Sequence, residues 1–166
     1  DMALGLAFAL GVRLPLNFNR PYGAASFREF WRRWHITLSR WLRDYLYIPL
    51  GGSRVGLTRT HFNLLATMTI GGLWHGAAWT FVIWGAYHGV LLCAEHAWTK
   101  ARAALCVPRF LRVAVVFHLV AVGWVFFRAH DPRQIAAVFE GLFRGGADAD
   151  PFAAGFPLLL LVVFFT

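Results

Sequence analysis

Apolar residues fall in runs along this chain, and the runs differ in kind. Met2 to Leu16 is short and interrupted by glycines and Arg13. It reads as the end of a helix, too short to cross a bilayer cleanly. Pro15, Pro21 and Gly23 break it and permit a turn. From Phe27 to about Tyr47 the residues Phe27, Phe30, Trp31, Trp34, Leu38, Trp41, Leu42 and Tyr45 recur at helical spacing, and Arg28, Arg32, Arg33, Arg40 and Arg43 share the other positions. That pattern predicts an amphipathic helix lying in the plane of a membrane interface. Ser26 is a candidate N-cap with Glu29 at capping-box spacing, and Pro49 with Gly51 and Gly52 ends the helix.

His61 to Trp98 is nearly continuous apolar sequence, too long for one span of about 20 residues. Gly71, Gly72 and Gly76 divide it into two predicted helices, residues 62–75 and 79–95, with a turn near Gly76. The first is short for a span, which suits a tilted, broken or protein-buried helix. Phe110 to Phe127 is a good transmembrane candidate. Asp131 to Asp150 reads as a polar linker, and Pro151 to Thr166 as the start of another span. The expected fold is therefore all-α, a polytopic transmembrane helical bundle with an interfacial amphipathic helix. The chain opens on Asp1 and ends inside an apolar run, so residues 1–166 are expected to form a single partial domain, truncated at both ends.

Composition supports the membrane reading: 58% of residues are hydrophobic and 14% charged, against about 25% charged in soluble domains. The formal net charge of +8 comes mostly from arginines in short connections between apolar runs, the positive-inside pattern of cytoplasmic loops. A basic soluble face is missing, which argues against nucleic acid as a partner. Cys93 and Cys106 have no CxxC or Cys/His ligand spacing, and no HExxH occurs, so no metal site is expected. Phosphate-loop, dinucleotide and serine-hydrolase motifs are absent from the sequence as well.

Two histidines stand out among tryptophans. His75 sits in Gly-Leu-Trp-His-Gly-Ala, where small neighbours admit a ligand or a second backbone. A neutral imidazole there suits a general base that takes the proton of an attacking hydroxyl; it equally suits a packed histidine bonded to a carbonyl. His35, in Trp-Arg-Arg-Trp-His, could orient substrate or donate to a forming oxyanion, or sit at the interface beside its tryptophans. It lies 40 residues before His75, so only tertiary folding could join them. Packing suits His88 better than catalysis, and His61, His96, His118 and His130 are assigned no role. Arg43 and Asp44 read as a structural ion pair. Arg32, Arg33 and Arg40 could hold phosphates of a lipid headgroup or of a nucleotide-bearing donor.

At these same segments the chain resembles the membrane-bound O-acyltransferase family, and within it the alginate O-acetylation branch. The matching stretches are Asp1-Met-Ala-Leu-Gly-Leu, Asn17-Phe-Asn-Arg-Pro-Tyr, Phe30-Trp-Arg-Arg-Trp-His-Ile-Thr-Leu-Ser, Leu42-Arg-Asp-Tyr-Leu-Tyr-Ile-Pro-Leu-Gly-Gly, Gly72-Leu-Trp-His-Gly-Ala, Trp84-Gly-Ala-Tyr-His-Gly and Gly123-Trp-Val-Phe-Phe-Arg. Each motif alone is weak; their combination in this order is specific. The resemblance implies a multi-pass enzyme of the bacterial inner membrane, surrounded by membrane lipids, that moves an acyl group onto a hydroxyl. His75 matches the family's catalytic histidine and His35 its second active-site residue. Trp34, Trp74 and Arg33 beside them are assigned to the substrate, and Arg43 and Asp44 to holding the interfacial helix. No tightly bound cofactor is expected; the donor would be acetyl-CoA or another acyl thioester. The acceptor implied is an exported polysaccharide, with periplasmic O-acetylation partner proteins. D-alanyl transfer to teichoic acid and a non-enzymatic transporter or scaffold are the rival readings.

Overall fold

The structure, a computed structural model, describes residues 2–101 and 107–144. Among the described residues it is all-helical: α1 (Met2–Ala9), α2 (Phe27–Arg33), α3 (Ile36–Leu42), α4 (Leu57–His75), α5 (Trp79–Ala101), α6 (Arg109–Arg128) and α7 (Pro132–Arg144). A 3-10 turn covers Pro21–Gly23 and a π-helical turn covers Arg43–Tyr47. The expected span at 151–166, the end of the expected linker and Cys106 lie outside the described residues. One described helix, α6, is long and apolar enough to cross a membrane.

Two expectations hold in outline and change in detail, and a third is overturned. The break near Gly76 separates α4 from α5, as the glycines imply, although α4 starts before the expected boundary and α5 runs past it. The amphipathic helix is not continuous: it splits at Trp34 and His35 into α2 and α3, and its last turn widens to π geometry. The segment read as a linker holds α7 instead. Asp131 Oδ1 accepts from the Arg133 and Gln134 amides at 2.7 and 3.0 Å, and Pro132 takes the first helical position, where its missing N–H costs nothing. Pro132 is thus a helix starter, and α7 buries Val138.

Helix α2 packs against α5, and a buried core cluster joins α2 to α6. Phe27, Phe30, Val116 and Val120 are buried there, with Trp31, Trp34 and Trp124 packed against them. The start of α2 is fastened three ways. Ser26 Oγ accepts from the Glu29 amide at 3.0 Å, Glu29 Oε2 accepts from the Ala25 amide at 2.7 Å, and Glu95 on α5 accepts from the Phe27 amide. The capping box is thus present, with its return bond one residue earlier than the usual pattern. The Ala25 bond, followed by the Arg33 and Arg109 charges, holds the Glu29 carboxyl below its ordinary pKa.

Helices α4 and α5 pack closest, through glycine. A Cβ at Gly72 would strike the Phe81 carbonyl oxygen, and one at Gly85 the Met68 carbonyl oxygen, so each glycine lets backbone approach backbone. Asn63, fully buried on α4, donates to the carbonyls of Leu50 and Gly52 at 3.0 and 3.1 Å. Those bonds tie the turn after the π segment to the helix that ends in His75.

Candidate functional site

His35 owes its position to the break between α2 and α3. Its backbone takes the left-handed conformation, φ 41° and ψ 56°, which is uncommon for a residue other than glycine. The segment Asn17–Asn19 lies against this break and satisfies the amides and carbonyls it frees. Asn17 O accepts from the Ile36 amide at 2.9 Å, Asn17 Oδ1 from the Thr37 amide at 3.0 Å and hydroxyl at 2.6 Å, and Arg33 O from the Asn19 amide at 2.9 Å. Ser39 Oγ donates to Trp34 O at 3.1 Å. A strained residue held by five surrounding hydrogen bonds is a feature concentrated at functional sites.

His75 is the last residue of α4, with Gly76 as its C-cap. A Cβ at Gly76 would lie 2.7 Å from the Phe81 ring, so glycine is what permits the tight entry into α5. The imidazole is half-buried in an aromatic cup. Trp84 and Phe127 present rings at 5.3 and 5.1 Å between centroids, and Phe81 lies at 6.2 Å.

The fold brings the two histidines together across 40 residues of sequence. Their ring centroids are 6.4 Å apart, and Trp74 flanks both, at 5.9 Å from His35 and 5.2 Å from His75. No hydrogen bond joins the two rings, yet the gap is small enough for one oxygen atom to touch both. His35 Nδ1 is buried and has no hydrogen-bond partner. An unpaired buried nitrogen costs stability, and a site that binds a polar group is one setting in which such a cost is retained.

The other candidates separate. Trp74 stays with the histidines and is 60% exposed, so its face is open to a ligand. Trp34 is packed into the core instead, stacked on Phe30 at 5.8 Å and tilted against Trp124 at 4.8 Å. Arg33 forms an i,i+4 ion pair with Glu29 and donates to Arg20 O at 3.3 Å. Arg43 and Asp44 pair at 2.7 Å on the exposed π turn, and that hydrogen bond holds the Asp44 carboxyl below its ordinary pKa. His88 is packed, as its setting implies: fully buried, stacked on Phe30 and edged by Trp31 and Trp84. A Cβ at Gly123 would sit 2.7 Å from His88 Nε2, so that glycine makes room for the ring.

Sequence reasoning missed three groups. His61 Nε2 and His96 Nδ1 are within hydrogen-bond distance, 3.2 Å, pairing two residues that were assigned no role. Nothing in their spacing announces this; α4 and α5 have to be laid side by side first. Trp84 and Phe127, the walls of the His75 cup, stand inside quoted motifs but carry no mark of that use. Asn17, whose side chain accepts from Thr37 at the start of α3, is not assigned a role from the sequence, and its residue type, which favours caps, is the available signal. No cluster of three or more potential metal ligands occurs among the described residues.

With this geometry in place, comparison with known proteins is informative. The family model of the membrane-bound O-acyltransferases matches residues 1–128. The chain is 54% identical over 146 residues to a probable alginate O-acetylase of Azotobacter vinelandii, covering 88% of this chain and 29% of that protein. It is 45% identical over 144 residues to a peptidoglycan O-acetyltransferase of Helicobacter pylori, covering 86% and 27%. To a teichoic acid D-alanyltransferase of Bacillus subtilis it is 32% identical over 140 residues, covering 75% and 35%. The chain thus spans about three tenths of the length of these O-acetylase and O-acetyltransferase relatives.

Proposed function

The chain belongs to the membrane-bound O-acyltransferase family, and from that premise we propose that the whole protein transfers an acetyl group from a thioester donor to a hydroxyl of an exported polysaccharide. The convergence of His35 and His75 beside exposed Trp74 carries this reading. His75 takes the acceptor hydroxyl proton as that oxygen attacks the thioester carbonyl carbon. A tetrahedral oxyanion forms, and His35, 6.4 Å from His75 between ring centroids, donates to it. Collapse breaks the carbon–sulfur bond, and the proton held by His75 passes to the departing thiolate. The products are the acetyl ester and the free thiol.

The protein is read as a multi-pass component of the bacterial inner membrane. Its donor, acetyl-CoA or another acyl thioester, would come from the cytoplasm, and its acceptor would lie outside with periplasmic partner proteins. Higher identity to the two O-acetyl-transferring relatives than to the D-alanyltransferase favours acetyl over D-alanyl. The test uses membranes containing the full-length protein and its partners, given radiolabelled acetyl-CoA in one arm and D-alanyl carrier protein in the other. The expected result is label in polysaccharide from the acetyl arm alone. Transfer of D-alanine without acetyl would overturn the donor assignment, and transfer of neither would overturn the enzyme reading.

A further inference from the structure

A groove of about 860 Å³ runs between the α2–α3 segment and helices α4 and α5, lined by neither His35 nor His75. Its two sides differ in chemistry. Arg28, Arg32 and Arg40 lie on the α2–α3 side, and Leu64, Met68 and Leu92 lie on the α4–α5 side, interleaved with Thr67, His96 and Thr99. The three arginines are exposed, and among the described residues none of them enters a salt bridge. Arg43 also lines the groove, but its charge is met by Asp44. Three exposed guanidiniums outside any salt bridge, of which Arg40 alone feels the Asp44 charge, call for an anion, and the planar fork of arginine suits phosphate oxygens.

We propose that this groove seats the headgroup of an anionic phospholipid. A free anion would satisfy the arginines and leave the opposite wall facing water; a lipid satisfies both, with its phosphate on α2 and α3 and the start of its chains on α4. The bordering helices agree, since α3 exposes Trp41 and α4 exposes Phe62 and Leu65, side chains suited to a bilayer interface. Neither His35 nor His75 lines the groove, so its occupant is separate from the group being transferred. The bound lipid pins α2 and α3 to the membrane surface, beside the break that positions His35.

The test reads lipid rather than transfer, so its outcome is independent of the acyltransferase assignment. Full-length protein is purified from nanodiscs of equal phosphatidylglycerol and phosphatidylcholine, and retained lipid is measured by native mass spectrometry. Wild type is expected to retain phosphatidylglycerol preferentially. The triple variant Arg28→Gln, Arg32→Gln, Arg40→Gln loses that retention at least about tenfold, because each arginine near anionic lipid contributes appreciably to binding. The corresponding triple lysine variant keeps most of it. Equimolar coenzyme A or inorganic phosphate leaves the lipid in place. Equal retention by wild type and the glutamine variant overturns the proposal, as does displacement by coenzyme A, which would make the groove a donor site. Should the glutamine variant fail to fold, absence of a phosphatidylglycerol preference in wild type overturns it equally.

Discussion

Replacing His75 with alanine in the full-length protein is expected to lower acetyl transfer by about 10²–10⁴-fold at unchanged expression, the range that a positioned general base contributes. The loss falls on the maximal rate, since the proton moves in the transition state and not on binding. Alanine also empties the cup formed by Trp84, Phe127 and Phe81, so part of its effect could come from packing. His75→Gln separates the two contributions. Glutamine fills much of the same space and keeps hydrogen-bonding capacity, yet it cannot carry the proton. A rate as low as that of the alanine variant, with near-normal thermal stability, assigns the loss to proton transfer. Restored transfer in His75→Gln would remove the general base from the account.

A large effect on folding is expected at Gly85. Its Cβ would collide with the Met68 carbonyl oxygen and lie 2.9 Å from Thr69 Cα, and backbone atoms cannot rotate aside. Gly85→Ala therefore forces α4 and α5 apart, at about 1–3 kcal/mol or more for an overpacked contact. The expected outcome is a lowered denaturation temperature in detergent and a smaller folded yield, with transfer falling because α4 carries His75. Gly71→Ala is the matched comparison. There the new methyl would meet only the Leu42 side chain, with Cδ1 at 2.9 Å, and that side chain can shift. The Gly71 variant should lose much less stability. Equal losses at the two positions would contradict the close backbone packing of α4 on α5.

Helical periodicity made most of the elements legible, and where it misled the reasons are local. The heptad-like pattern of Phe27 to Tyr45 continues across Trp34 and His35 without interruption, so nothing in it marks a break. The break is stabilised by Asn17 and Asn19, a tertiary contribution that periodicity does not register. Pro132 carries two meanings, and Asp131 before it decides for a helix start. Around the site, the motifs singled out His35 and His75, while their neighbours depended on packing. Trp34 looks as available as Trp74 in the sequence; α2 turns it into the core, and the end of α4 leaves Trp74 exposed. Arg33 reads as a phosphate ligand until the i,i+4 carboxylate of Glu29 is seen beside it.

In the proposed mechanism His35 and His75, drawn together by a strained break and a glycine turn, act as one acyl-transfer centre. A double-mutant cycle on transfer rate tests it most directly: wild type, His35→Ala, His75→Ala and both, in membranes with equal amounts of full-length protein. Residues that act as a unit lose function non-additively. Each single variant is expected to be strongly impaired, and the double variant no worse than His75→Ala. Losses that multiply, or a His35→Ala variant as active as wild type, would show that the two histidines do not share one reaction.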